Sequence, residues 1–197
     1  MKVLLVNNDS DTFDELQDLC IRSGYDVNVV HCTAIPLQSI SKYDLAVLSG
    51  GYWYDDPYQH LETYKLELEL IRTCPIPIVG ICIGMLLMHT AVNQEVPHLD
   101  EPQSGLKAIH ITPHGQLVLG LPETITVHKN HTMGIVDPLP HFIVLGTSPG
   151  HVEILRHTTQ PMLGMQFHPE IGDPEAMVEL FKKLVDTVIT PDGKPRV

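Results

Sequence analysis

Cys82 stands midway between two glycines in Gly80-Ile81-Cys82-Ile83-Gly84, inside the apolar run PIVGICIGMLLM of residues 77–88. Small residues two places before and two places after a nucleophile mark a sharp strand-to-helix turn, which lifts one side chain above the carboxyl edge of a sheet. Glycine is needed there because the backbone comes too close for a Cβ. A side chain so placed faces a helix N-terminus, whose partial positive charge favours an anion. A sulfur nucleophile also needs a base, and the base needs a group to orient it. The segment GMQFHPE (164–170) offers His168 and Glu170 two residues apart. In an extended chain such residues face the same side, so the carboxylate can reach the imidazole. Pro169 between them restricts its own φ and the conformation of His168. Attack on a carbonyl finally needs donors for the oxyanion. The Gly51 N–H, at the end of Ser49-Gly50-Gly51, and the Ile83 N–H, next after Cys82, are the two candidates.

The elements that must position these residues are legible in outline. KVLLVN (2–7) is a short continuous apolar run, as expected of a strand buried on both faces. Residues 10–23 follow with Phe13, Leu16 and Leu19/Cys20 at helical spacing, and Gly24 stands where the helix would stop. DVNVVH (26–31) and DLAVLSGG (44–51) predict two more strands. Pro57 is expected to open a helix with Leu61, Tyr64, Leu68 and Ile71 along one stripe. PIPIVGI then predicts a fourth strand, and residues 84–91 a helix. Such alternation implies a parallel sheet covered on both faces. From about residue 105 to 166 the pattern changes to short β-rich pieces between Gly and Pro, namely KAIHIT, QLVLG, TITVH, FIVLGTS, HVEILRH and PMLGMQF. These predict hairpins and an antiparallel extension. A last helix is expected from DPEAM, with Asp173 as its cap and Pro174 at its first position, burying Met177, Leu180, Phe181, Leu184 and Val188. The whole reads as one domain over residues 1–190, followed by a frayed tail, 191–197.

Composition narrows the partners. The chain has 197 residues, 24 acids against 12 bases and a formal charge of −12, which disfavours nucleic acid because phosphate binding needs clustered Lys and Arg. No apolar stretch has the length of a membrane span, and MKVLLVNNDS lacks a signal-peptide pattern, so no membrane is expected and a cytoplasmic location is the default. Cys20, Cys32, Cys74 and Cys82 form no C-x-x-C pair, which argues against disulfides or a structural zinc site. Twelve histidines invite a metal, and HKNH (128–131) and HITPH (110–114) have ligand-like spacing. Neither has cysteines or a carboxylate cluster nearby, and Pro113 interrupts the second, so no metal is expected.

The Gly-Gly strand end, the elbow and the Phe-His-Pro-Glu segment, in this order, resemble the class I (triad) glutamine amidotransferases. The likeness runs over about residues 3–188 and includes LPHFIVLGTS (139–148) and HVEILRH (151–157). It implies a flavodoxin-like three-layer α/β sandwich with a mostly parallel central sheet and a small antiparallel extension. It also implies a Cys82–His168–Glu170 triad that removes the side-chain amide nitrogen of glutamine through a thioester. No cofactor is involved, and ammonia passes to a separate synthase partner. Gly50, Leu86 and His131 match positions at the substrate site.

Leu86 departs from the pattern, since the family reads G-x-C-x-G-x-Q. The usual glutamine helps to bind the amino-acid end of the substrate, and leucine cannot. Losing such a hydrogen bond costs about 1–3 kcal/mol, roughly five- to a hundredfold in affinity. The glycine pair often found after this helix is replaced by AVNQEV (91–96). A hydrolase of other γ-glutamyl peptides or amines with the same triad is therefore an alternative, and a non-enzymatic regulatory homologue a second one. NNDSDTF (7–13) resembles the start of anthranilate-synthase-type subunits and is explained equally well as a helix cap, and YWYDDPY (52–58) is read as a pocket rim, partner surface or loop cover.

Overall fold

The computed structural model describes residues 1–51, 61–92, 95–138, 140–190 and 193–196. In the first half, β1 (Lys2–Asn8), α1 (Phe13–Arg22), β2 (Asp26–His31), β3 (Leu45–Gly51), α2 (Lys65–Thr73), β4 (Ile78–Ile81) and α3 (Ile83–Thr90) alternate. In the second, β5 (His98–Ile111) is followed by α4 (Pro113–Leu119), β6 (Thr124–Met133), β7 (Phe142–Ser148), β8 (His151–His157), β9 (Met162–Met165) and α5 (Pro174–Val185).

All nine strands form one sheet in the order β2-β1-β3-β4-β9-β8-β7-β5-β6. The apolar runs of β1, β3 and β4 occupy its parallel half, where both faces are covered. Successive side chains alternate between two cores. Val3, Leu5, Val47 and Val79 meet α1 and α5 on one face. Leu4, Leu48 and Ile78 meet α2 and α3 on the other. This three-layer α/β arrangement agrees with the flavodoxin-like expectation. The antiparallel extension is larger than expected: four neighbouring pairs are parallel and four antiparallel. Most of the excess is the long β5–β6 hairpin, which pairs from Gln103↔His131 to His110↔Thr124.

QLVLG (116–120), expected as a strand, lies instead in and just beyond α4. The local end signals outweigh its apolar character. Thr112 accepts a hydrogen bond from the Gly115 N–H at 3.0 Å, Pro113 sits at the first helical position, and Gly120 closes the helix in the left-handed region at φ 61°. Gly115 lets this helix press on β7, since a Cβ there would stand 2.1 Å from the Leu145 carbonyl oxygen. The last helix begins as expected, with the Asp173 carboxylate accepting from the Ala176 N–H at 3.0 Å. In the C-terminal segment the Arg196 N–H donates to the Val188 carbonyl at 2.7 Å, and the Thr190 N–H to that of Lys194 at 2.8 Å. The expected helix start at Pro57 and the YWYDDPY stretch lie outside the described residues. Of the stripe assigned to that helix, Tyr64, Leu68 and Ile71 are buried.

Candidate active site

Cys82 follows the last residue of β4 and precedes the first of α3, and its own backbone is in a strained conformation, φ 50°, ψ −105°. Such a conformation costs an L-residue of order 1–3 kcal/mol and persists only where the surroundings hold it. Here the Cys82 N–H donates to the Met165 carbonyl of β9 at 2.8 Å, and its carbonyl accepts from Met85 and Leu86 at 3.0 and 3.1 Å, opening the helix. The two flanking glycines explain themselves as close approaches. A Cβ on Gly80 would stand 2.5 Å from the Gly84 backbone, and one on Gly84 would stand 2.7 Å from the Leu48 carbonyl oxygen. The first turn of α3 therefore lies directly on β3 and β4, with Cys82 held at the bend.

His168 and Glu170 come from the segment after β9. Phe167, wholly buried, anchors it, and the His168 N–H donates to the His128 carbonyl of β6 at 2.9 Å. Nδ1 of His168 lies 2.7 Å from Oε1 of Glu170. The ring borders the cysteine: a Cβ on Gly50 would stand 3.0 Å from His168 Cε1 and 3.6 Å from Cys82 Cβ. Burial works to lower the pKa of His168, but the neighbouring Cys82 and the hydrogen-bonded Glu170 carboxylate raise it from 6.5 to about 10. Nδ1 is committed to the carboxylate, and Nε2, buried and without a hydrogen-bond partner among the described residues, is the nitrogen left for the thiol.

The remaining predicted residues surround a cleft of about 230 Å³. Cys82, Gly51, Ile83 and Leu86 line one side, and the β5–β6 hairpin contributes Gln103 and His131. Ile83 begins α3, where the first amides of a helix have no intrahelical acceptor. Gly51 rests on β1, where a Cβ would stand 2.1 Å from the Asn8 carbonyl oxygen. Gly50 lies between the cysteine and the imidazole. His131 donates through Nδ1 to the Met133 carbonyl at 2.9 Å, and burial pushes its pKa down to about 4, so the ring is neutral at pH 7.

His128 and His131 do not act as a pair. The His128 ring meets that of His168 edge-on, at 6.5 Å between centroids, while His131 meets His151 at 5.4 Å. His131, His151 and Glu153 do offer ligand atoms within 4.8 Å of one another. The Lys129 ammonium, however, pairs with Glu153 Oε1 and donates to Ser148 Oγ at 2.5 Å. Burial works to raise the Glu153 pKa, but His151, Lys129 and Ser148 hold it below the usual carboxylate range. The carboxylate is thus already neutralised by a fully buried cation, and a divalent ion added beside Lys129 would meet uncompensated repulsion.

Several participants escape the sequence reading. The Gln166 side chain donates to Cys82 Sγ at 3.7 Å. It lies two residues before His168, and the same-face spacing that exposed Glu170 would have pointed to it. Thr12, read as a helix cap, makes no capping hydrogen bond and instead donates to Glu170 Oε1 at 2.7 Å. Under the Gly50–Gly51 strand end, Asn8 Nδ2 donates to the Ser49 carbonyl at 3.0 Å and to Glu67 Oε1 at 3.1 Å. Ser49 Oγ accepts from the Asn8 N–H at 2.9 Å and donates to the Gly50 carbonyl at 2.7 Å.

A thiol on a strand-to-helix elbow, beside a histidine paired with a carboxylate, defines a class of α/β proteins built for sulfur chemistry at a sheet's carboxyl edge. Within that class the chain belongs to the glutamine amidotransferase class-I family, whose model matches residues 4–187. It is similar to the glutamine-hydrolysing GMP synthase subunit of Archaeoglobus fulgidus, 30% identical over 83% of this chain and 85% of that one. The corresponding subunit of Saccharolobus solfataricus is 27% identical over 76% and 79%. Among solved structures, a glutamine amidotransferase of Thermotoga maritima shares the fold with a TM-score of 0.78 at 17% identity, over 94% of this chain and 96% of that one. Among the described residues no helix is long and apolar enough to cross a membrane.

Proposed function

We propose that residues 1–190 form a glutaminase unit that releases ammonia from glutamine through Cys82, His168 and Glu170 and passes it to a separate synthase partner. The observation that carries this reading is the convergence of Cys82 and the Glu170-bound His168 around Gly50. Cys82 Sγ attacks the side-chain amide carbon, and the oxyanion forms toward the Gly51 and Ile83 amides. His168 gives its Nε2 proton to the nitrogen as the C–N bond breaks, because an unprotonated amide nitrogen is too poor a leaving group. Ammonia departs and leaves a thioester. Water then attacks the thioester carbon while His168 takes its proton; the C–S bond breaks, and glutamate leaves. Glu170 orients the ring and stabilises its cation throughout. The synthase partner is inferred from the names of the relatives, which are subunits of GMP synthases.

Leu86 supports a second reading. It is buried in the cleft wall one helical turn after Cys82 and can make no hydrogen bond to an amino-acid group. An apolar wall at this position changes what the cleft recognises while leaving the triad untouched, which is the ground for a γ-glutamyl peptide or amine as the substrate.

The test is ammonia or amine release from glutamine, γ-glutamyl peptides and γ-glutamyl amines, by wild type and Cys82→Ala, with and without the synthase partner. Turnover of glutamine that Cys82→Ala abolishes is the expected result. Turnover of γ-glutamyl peptides alone selects the second reading, and full activity in Cys82→Ala overturns both.

A further inference from the structure

We infer that Thr12 is a positioning residue for the proposed Cys82–His168–Glu170 system, holding the Glu170 carboxylate in the one orientation that aligns His168 with the thiol. The inference rests on the function proposed above and extends its machinery to the β1–α1 turn. Glu170 Oε1 accepts two hydrogen bonds of equal length, 2.7 Å from Thr12 Oγ1 and 2.7 Å from His168 Nδ1. Its side chain is 1% exposed, so no solvent supplies a substitute donor. An ionised carboxylate only accepts, which settles the direction of the Thr12 bond.

The turn around Thr12 is organised for this contact rather than for its own helix. A threonine at this position ordinarily accepts from an amide in the first turn of the helix. Thr12 does not; at the start of α1 the Phe13 N–H donates to the Ser10 carbonyl at 3.2 Å and the Leu16 N–H to that of Thr12 at 3.1 Å. Ser10 Oγ lies 3.1 Å from Thr12 Oγ1 and accepts from the Thr12 N–H at 3.3 Å. Because Thr12 gives its only hydroxyl proton to Glu170, Ser10 must donate to Thr12. The hydrogen bonds therefore run from Ser10 to Thr12 and from Thr12 to the accepting Glu170, with His168 donating to the same oxygen from the other side. Asp9, at φ 59°, gives the turn its bend, and its N–H donates to Asn7 Oδ1 at 2.8 Å.

Thr12 lies outside the cleft that holds Cys82, so its loss acts on the alignment of the base and not on substrate binding. Thr12→Val removes the hydroxyl at constant shape, and Thr12→Ser keeps it. In Thr12→Val, kcat for the substrate that wild type turns over falls about tenfold or more, the scale of one hydrogen bond to a charged group, while KM changes less than about twofold. Alkylation of Cys82 by iodoacetamide at pH 7, followed by peptide mass spectrometry, slows several-fold in the same variant, and Thr12→Ser restores both rates. Thr12→Ala carries the same expectations should the valine variant not fold. Wild-type kcat and alkylation in a folded Thr12→Val or Thr12→Ala protein, or a loss that appears in KM alone, overturns the inference. The alkylation needs no substrate, so this test stands even where the proposed function fails in the Cys82→Ala comparison.

Discussion

His168 carries opposing demands. Burial favours the neutral ring, because a cation that loses its water gains nothing from an apolar wall. Cys82 and Glu170 favour the cation, and they prevail, raising the pKa to about 10. The sign of the linked stability follows from the unfolded value of 6.5. A base whose pKa is raised by folding contributes its full share below pH 6.5, and that share fades as pH rises through about 10. The same balance identifies the partner on which the charge depends. Cys82 and Glu170 are the two neighbours that raise the pKa, and Cys82→Ala removes the first of them. An NMR titration of the ring nitrogens is expected to find His168 as imidazolium at pH 7 in wild type, with a lower titration midpoint in Cys82→Ala. A neutral His168 at pH 7, or a midpoint unmoved by the substitution, contradicts the pairing. Glycine eases the assembly of this site: Gly80 and Gly84 let α3 approach the sheet, and Gly50 leaves room for the ring.

At the scale of elements, the end of β3 is held from beneath by β1 and α2. Asn8 reaches both the Ser49 carbonyl and Glu67, and Ser49 returns a bond to the Gly50 carbonyl. Glu67 lies wholly inside α2's packed face, and burial raises its pKa from 4.5 to about 8, the Asn8 hydrogen bond offsetting only part. Below pH 4.5 folded and unfolded chains both hold this proton. Between 4.5 and about 8 the unfolded chain releases it while the folded one keeps it, so stability falls with pH across that window and levels off above it. Glu67→Gln keeps the shape and an oxygen for Asn8 while removing the titration. Urea unfolding is expected to show the variant gaining on wild type steadily from pH 5 to 8 and no further beyond; parallel curves over that range contradict a buried, titrating Glu67. None of this bracing is legible in the sequence. Strand and helix identities come from periodicity, caps and glycines within a few residues, and those signals located β1, β3, β4, the elbow and the start of α5. Where a segment is apolar on every side, as QLVLG is, periodicity is silent and the capping residues Thr112, Pro113 and Gly120 decide. Thr12 and Asn8 look like turn residues because their partners lie 158 and 59 positions away, and no local pattern encodes that distance.

The molecule as a whole is one sheet with a seam. The parallel half ends at β9 and the antiparallel half begins with β8, while β4 and β9 pair from Ile78↔Met162 to Ile81↔Met165. Cys82 and the His168 segment both leave the sheet at the carboxyl end of this central pair, one turning into α3 and the other toward Glu170. Two residues 86 positions apart thus meet because their strands are neighbours, and the Cys82 N–H bond to the Met165 carbonyl continues the strand ladder into the site. The consequence concerns cooperativity. A site built on exposed loops can melt ahead of its scaffold, whereas one that prolongs the central ladder shares the stability of the core on either side. Asn8, Gln166 and the hairpin residue His131 tie the same site to β1, to the segment after β9 and to β6. In a urea titration at pH 7, rapid Cys82 alkylation dependent on His168, read as the rate ratio of wild type to His168→Ala, is expected to disappear with the same midpoint as the far-ultraviolet circular dichroism, as two-state unfolding requires. Loss of the ratio well before the helical signal would mean that the seam opens first and that the two halves of the sheet unfold separately.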